Sequence, residues 1–498
     1  MKTAKMLDTN YSLGDRTRGA SSYARGPLDL TEFFGENPRS PELCDQILRA
    51  LANLRYKPGG RLTENEAFAL GVLAFIYSYS AVKVGRCLRR LAHRVAPGEQ
   101  DQCGDWNKLR VLDPLSPTSR SCLRSPDHEI LHCGGAIDLS DGPVLLYTPD
   151  IGDRYFSYQF IDAHGHSFAY VGTRSTHGRD GVYAIVGPGW RGRLPKGLRW
   201  IQSLTPHNLM IGRIFLESAN DTGEVREIYR RSTLAPIGEF RRENGNDADV
   251  FAHDHSAEAP GLSGVRWFEF ANKVLNDNPP PACENELIAL FAWLGFGPGF
   301  DFCAGTLTPN VRSGLERAVG VAENEIVKYA RSMGQKINGW RLTRLNRRIR
   351  ETNYIERAAI ALDCLTQGSE EEIFYAECGA ESLGRTLNGT HFYVLRFEKG
   401  LLLPSKGFWS LTSCEVKGVS SADDGGNRRT IGSGKPGIKY ADDDSIEIYL
   451  QRDEPPPDMK SNWLRTPKGR FAVQLRLYIP GEQVLNGLYR PPPIIQVA

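Results

Sequence analysis

His128-Glu129-Ile130-Leu131-His132 has the H-E-x-x-H order that, on a helix, sets two imidazoles on one face to bind zinc and leaves the glutamate as general base. The flanks work against a long helix, since Pro126 precedes the run and Cys133-Gly134-Gly135 ends it. On a strand the two histidines would stand roughly 13 Å apart and could not share one ion. No third ligand stands at a recognisable spacing. The run is therefore read as a local polar stretch able to line a pocket, with a zinc-dependent hydrolase using His128, Glu129 and His132 as the alternative.

A second group is Asp162, His164 and His166, close in sequence to Tyr155, Gln159 and Arg174. Histidine moves protons near neutral pH and a neighbouring carboxylate raises its pKa, so Asp162 and His164 are candidates for acid–base work. If the strand extends that far, the three alternate onto one face. The plainer reading of Ala163-His164-Gly165-His166 is a hairpin turn. A third group, Arg396, Trp409, Ser410, Thr412 and Trp463, supplies aromatic walls and donors of the kind that line small-molecule pockets, weighed against ordinary sandwich packing. The sequence contains no G-x-S-x-G elbow, Walker loop or dinucleotide fingerprint, so the chemistry expected of it uses no cofactor.

The elements that must position these groups change period along the chain. Ser40-Pro41 opens a helix through Leu43, Ile47 and Leu51; Thr63 and Glu66 form a capping box before a long apolar helix from Phe68 to Leu91. Its apolar part, Phe68 to Val84, is short of the roughly 20 residues of a membrane span and reads as a core helix. From Pro143 the period is two, giving strands at Val144–Tyr147, Tyr155–Phe160, Phe168–Val171, Val182–Val186 and Ile211–Leu216. Alternation places Phe156, Tyr158 and Phe160 on one face and Tyr155, Ser157 and Gln159 on the other, which could line a pocket.

Residues 244–264, with His253 and His255, read as an exposed loop. Helices follow at Trp267–Leu275, Glu286–Leu294, Pro309–Tyr329 and Tyr354–Leu365, then strands at His391–Phe397, Phe408–Ser413, Ile446–Leu450 and Phe471–Ile479. Asp442-Asp443-Asp444 and the Gly425-Gly426-Asn427 run are turn chemistry.

At 498 residues the chain exceeds one ordinary core, and 40% apolar with 24% charged residues is the balance of a packed globular protein. With 61 Lys plus Arg against 59 Asp plus Glu, no overall field favours nucleic acid or an anionic membrane; the expected partner is a small-molecule substrate, and a homo-oligomer is left open. The first thirty residues lack an apolar h-region, so a cytoplasmic location is expected. Ten scattered cysteines read as reduced thiols.

Gly152-Asp153-Arg154-Tyr155-Phe156-Ser157-Tyr158-Gln159-Phe160-Ile161-Asp162-Ala163, followed by Phe168-Ala169-Tyr170-Val171-Gly172-Thr173-Arg174 and Gly187-Pro188-Gly189-Trp190, resembles the signature of domain of unknown function 1254. Tyr393-Val394-Leu395-Arg396-Phe397, Gly407-Phe408-Trp409-Ser410-Leu411-Thr412 and Ser461-Asn462-Trp463-Leu464 resemble domain of unknown function 1214. The resemblance covers most of the chain and implies an α+β protein with two antiparallel β-sandwich domains, jelly-roll-like, plus N-terminal and connecting helices. The expected division is 1–250 for the helices and first sandwich, 251–380 for a helical connector and 381–498 for the second sandwich. Many relatives carry an Arg-Pro-Asn-Asn-Asp-Thr-like run where this chain has Arg124-Ser125-Pro126-Asp127-His128-Glu129-Ile130-Leu131-His132, a departure that adds Asp127 to the catalytic candidates; Tyr170 joins the substrate-binding ones. The expected activity is a cofactor-independent cyclisation or isomerisation of a small, largely apolar molecule in natural-product metabolism. A non-catalytic ligand-binding or scaffold protein is the other alternative.

Overall fold

A computed structural model describes residues 30–497, apart from 36–37, 53, 55–60, 95–101, 104–105, 113–126, 128, 219–220, 241–261, 344–352, 364, 400–404, 416–428 and 434–436. His128, His253, His255 and the 425–427 turn lie outside the described residues.

Helix α1 (Pro41–Leu51) buries Leu43, Ile47 and Leu51 against α2 (Glu64–Ala92). The capping box forms: the Thr63 N–H donates to Glu66 Oε2 at 2.8 Å, and the Glu66 N–H to Thr63 Oγ1 at 3.3 Å. By length and composition α2 could cross a membrane, yet here it is the buried axis of a helical layer.

Nine strands build the first sandwich: β1 (Arg110–Leu112), β2 (Ile130–Asp138), β3 (Val144–Thr148), β4 (Phe156–Asp162), β5 (Ser167–Gly172), β6 (Gly181–Val186), β7 (Arg199–Gln202), β8 (His207–Phe215) and β9 (Thr233–Pro236). The front sheet runs β1-β2-β8-β4-β5 and the back sheet β9-β3-β6-β7. Phe156, Tyr158 and Phe160 enter the core between them, as the alternation requires. Helix α3 (Thr222–Arg231) closes this core with Val225, Ile228 and Tyr229.

Helices α4 (Val265–Asp277), α5 (Asn285–Phe291), α6 (Pro309–Ser332) and α7 (Tyr354–Asp363) join α2 in one helical core. Gly71 and Gly314 allow α2 and α6 their close approach, since a Cβ at Gly314 would lie 2.5 Å from the Glu64 carbonyl oxygen. The second sandwich comprises β10 (Gln335–Ile337), β11 (Trp340–Thr343), β12 (Ile373–Cys378), β13 (Phe392–Phe397), β14 (Trp409–Glu415), β15 (Thr430–Gly432), β16 (Ile446–Gln451), β17 (Trp463–Arg465), β18 (Phe471–Tyr478) and β19 (Ile494–Val497). Its front sheet is β10-β11-β12-β18-β14-β15 and its back sheet β17-β16-β13-β19. Three of its strands thus come from the stretch between α6 and residue 380. Except for the β6–β7 and β16–β17 pairs, strand neighbours run antiparallel.

The two front sheets meet face to face over part of their area. One half of the first front sheet packs Ala136, Ile161, Leu209 and Ile211 on α2. The other half meets the second sandwich through a small apolar cluster of Ile130, Tyr155, Ile373, Phe408 and Tyr478.

Candidate functional site between the two front sheets

The alternation that turns Leu209 and Ile211 of β8 toward α2 brings Arg213 to the same face one step further on. Arg213 is level with His132 of β2 on one side and Ser157 of β4 on the other. The second sandwich repeats the device: Arg476 of β18 is level with Tyr375 of β12 and Ser410 of β14. Both guanidinium groups are 3% exposed, and both act electrostatically on His132 and on Tyr375, so one buried polar layer holds all four.

Asp127, just ahead of β2, ties this layer together. Its Oδ2 accepts from the Ser410 hydroxyl at 2.5 Å and the Tyr478 phenol at 2.9 Å, its Oδ1 from the Glu129 N–H at 3.1 Å, and Arg476 Nη1 lies 3.9 Å away. Burial alone would raise its pKa, but Arg476 and these donors outweigh burial and hold the carboxyl below its ordinary value. With its donors already in place, Asp127 serves as a positioning anion.

The stretch from Thr366 to Glu372 straps the sheets together. Arg213 Nη2 donates to the Thr366 carbonyl and, at 2.9 Å, to Gln159 Oε1. Gln159 Nε2 donates to the Gln367 carbonyl at 3.1 Å, and the Ser369 N–H to the Tyr170 hydroxyl at 2.7 Å. Glu372 accepts from the Tyr155 phenol at 3.0 Å and from Arg174 Nε at 2.6 Å.

Burial and the neighbouring Arg213 push His132 down to about 3, which keeps its imidazole neutral. Burial raises the phenols of Tyr155 and Tyr478 well above their ordinary value and that of Tyr375 above it, so all three remain donors. The Glu129 carboxylate reaches the second sheet at Gly432, where a Cβ would come within 2.1 Å of Oε2 and 2.4 Å of the Trp409 carbonyl oxygen. Only glycine leaves room for that approach.

Of the candidates read from sequence, Asp127, Glu129, His132, Tyr155, Gln159, Tyr170, Arg174 and Ser410 converge on this layer or its rim. Others do not. The H-E-x-x-H run is a turn at Glu129 and a strand from Ile130, so the helical zinc geometry is not formed, and among the described residues no three His, Cys, Asp or Glu side chains are grouped to hold a metal. Asp162 accepts the backbone N–H groups of His164 and His166, each at 2.9 Å, and so shapes a hairpin turn. Burial holds the pKa of His164 below its ordinary value, against the opposing charge of Asp162, and Arg357 and Glu284 beside the helical layer also act on it. Arg396 is half-exposed on the outer sheet and fans across Glu398, Asp443 and Glu447. Trp409 fills the second sandwich core, and Trp463 donates its indole N–H to the Gln451 carbonyl at 2.8 Å. These three are corrected from pocket lining to structural roles, because Arg396 and Trp463 belong to the back sheet and Trp409 turns into its own sandwich core.

Sequence reasoning missed Arg213, Glu372, Tyr375, Arg476 and Tyr478. A signal existed for the arginines: each is a lone charge inside a strand that is otherwise almost wholly apolar.

Residues 106–236 match the family model described as protein of unknown function (DUF1254), and residues 372–482 match protein of unknown function (DUF1214). The chain thus carries one segment of each of these two families, DUF1254 before DUF1214. The DUF1254 match carries Arg213, His132 and Gln159, and the DUF1214 match carries Glu372, Ser410, Arg476 and Tyr478, so the layer lies where the two domains meet. Among solved structures, the chain is similar to the VPA0106 protein from Vibrio parahaemolyticus, at 20% identity and a TM-score of 0.65, over 87% of this chain and all of that one. That likeness extends the fold. An uncharacterised protein from Burkholderia cenocepacia is 12% identical with a TM-score of 0.41, over 92% of this chain and 95% of that one. No curated protein matches the sequence.

Proposed function

We propose that this DUF1254 and DUF1214 chain is a cofactor-independent enzyme that isomerises or cyclises a small, largely apolar organic molecule by proton transfer in the layer between the front sheets. The observation that carries the reading is the convergence of two buried guanidiniums, a neutral imidazole and protonated phenols from both sandwiches on one water-shielded layer. Such fixed donors stabilise negative charge that develops on a substrate oxygen, and in a site of low dielectric they are worth more than in water. Arg476 and Tyr375 hold the developing oxyanion, while neutral His132 supplies a further hydrogen bond and Arg213 adds positive charge to the layer. Glu129 is the carboxylate that takes the proton. Asp127 and Glu372 position the donors. The apolar contacts of Phe408, Ile373 and Tyr478 suit the body of a ring-sized substrate.

The test is solvent-deuterium incorporation next to the carbonyl of a set of aryl ketones and 2-oxo acids, read by mass spectrometry. The reading expects exchange above the buffer rate for at least one compound, and its loss in Glu129→Gln. Exchange at the buffer rate throughout would overturn it.

A further inference from the structure

Four arginines of the described chain are buried: Arg154, Arg213, Arg357 and Arg476. Three of them face a carboxylate, Arg154 at Asp221, Arg357 at Glu284 and Arg476 at Asp127. Among the described residues Arg213 forms no ion pair. Its Nη2 is held by two neutral oxygens, of Gln159 and Thr366, while its Nη1 is buried with no hydrogen-bond partner among the described residues. A buried guanidinium without a counter-charge is costly, because removal from water is not offset by an anion.

The neighbours do not supply that charge. His132 is neutral, and the groups that act most strongly on Arg213 are the phenols of Tyr375, Tyr155, Tyr170 and Tyr478. The Tyr155 hydroxyl already donates a hydrogen bond to Glu372 and the Tyr478 hydroxyl donates one to Asp127. The phenols around Arg213 are thus donors, two of them committed to carboxylates, and no acceptor among the described residues reaches Nη1. Beside it stands the aromatic wall in which Phe408 and Tyr478 stack with centroids 4.0 Å apart and Tyr155 meets both edge-on.

We propose that Arg213 anchors the carboxylate of a small aromatic or cyclic carboxylic acid, whose apolar body lies against Phe408 and Tyr478. The proposal rests on the reading that the inter-sheet layer receives the substrate, and it narrows that substrate to an anionic class. The carboxylate completes the guanidinium through Nη1 in a charge-assisted hydrogen bond. Arg476, already facing Asp127, keeps its role toward the oxygen that changes charge during reaction.

The probe is benzoate, with benzamide as the neutral isostere, titrated calorimetrically into the full chain. Benzoate is expected to bind and benzamide to bind at least about tenfold more weakly, with Arg213→Gln weakening benzoate roughly ten- to a hundredfold. Arg213→Lys is expected to retain part of the affinity, and Arg396→Gln, on the outer sheet, all of it. Equal binding of benzoate and benzamide to the unaltered chain would overturn the proposal, a comparison that stands even if Arg213→Gln does not fold. Unchanged benzoate affinity in a folded Arg213→Gln would overturn it as well. Deuterium exchange into neutral ketones without benzoate binding would sink this inference alone, whereas benzoate binding without any exchange would uphold it and sink the catalytic reading.

Discussion

The Tyr478 phenol donates to Asp127 Oδ2 at 2.9 Å across 351 residues of chain, and both groups are buried. That bond joins the entrance of the first sandwich to the last long strand of the second. Removing the carboxylate leaves the Ser410 hydroxyl and the Tyr478 phenol without their shared acceptor and takes away the counter-charge 3.9 Å from Arg476. Asp127→Ala should therefore cost about 3–5 kcal/mol in urea unfolding. Because the folded pKa is lowered, the carboxylate's stabilisation is present above its unfolded value of 3.8 and is lost as pH falls through the folded value. The gap between the unaltered chain and Asp127→Asn should accordingly narrow below about pH 4.

His132 gives a separate pH signature. Unfolded, it takes a proton near 6.5; folded, burial and Arg213 hold it unprotonated down to about 3. Stability is thus undiminished above pH 6.5 and falls with acid between those values, by about 1.4 kcal/mol per pH unit. In His132→Gln that part of the slope should vanish, and an unchanged slope would show the imidazole to be protonated in the fold.

Glu372 gathers Tyr155 and Arg174 from the first sandwich, so it should govern how tightly the sandwiches close. Tyr155→Phe should cost about 1.5–3 kcal/mol, as expected for one hydrogen bond to a carboxylate lost with little packing change. Glu372→Gln should cost more and speed amide hydrogen exchange in both 155–174 and 366–378. Faster exchange confined to one of those stretches would argue that the strap does not couple the domains.

Gly432 tests how closely Glu129 must approach the second sheet. Gly432→Ala drives a methyl into the Glu129 carboxylate and the Trp409 carbonyl, for an overpacking cost of about 1–3 kcal/mol. Turnover should fall with it, since Glu129 is displaced; a variant as stable and active as the unaltered chain would mean that the carboxylate has room to move.

What could be read from sequence follows the range of the interactions. Capping at Thr63 and Glu66 and the alternation of 155–160 are local signals, and they placed α2 and the faces of β4. The strand β2 was obscured because Gly134 and Gly135, which admit Leu91 of α2 and Leu234 of β9, look like a break in a pattern. Tyr155 and Gln159 were legible as sharing the face opposite the sandwich core, but their partners Glu372 and Gln367 lie some two hundred residues away and no local pattern announces them. Arg396 and Trp463 were misplaced for the complementary reason: alternation tells that a strand has two faces, not which of them meets another sheet.

The proposed proton transfer happens between the front sheets, not at the Asp162 and His164 hairpin beside the helices. The most direct measurement compares solvent-deuterium incorporation into the best ketone substrate by Arg476→Gln and by His164→Gln, each checked for folding by circular dichroism. Exchange should fall at least about a hundredfold in Arg476→Gln, as for loss of an oxyanion donor, and stay within about twofold in His164→Gln. The reverse pattern would contradict the assignment of chemistry to the inter-sheet layer.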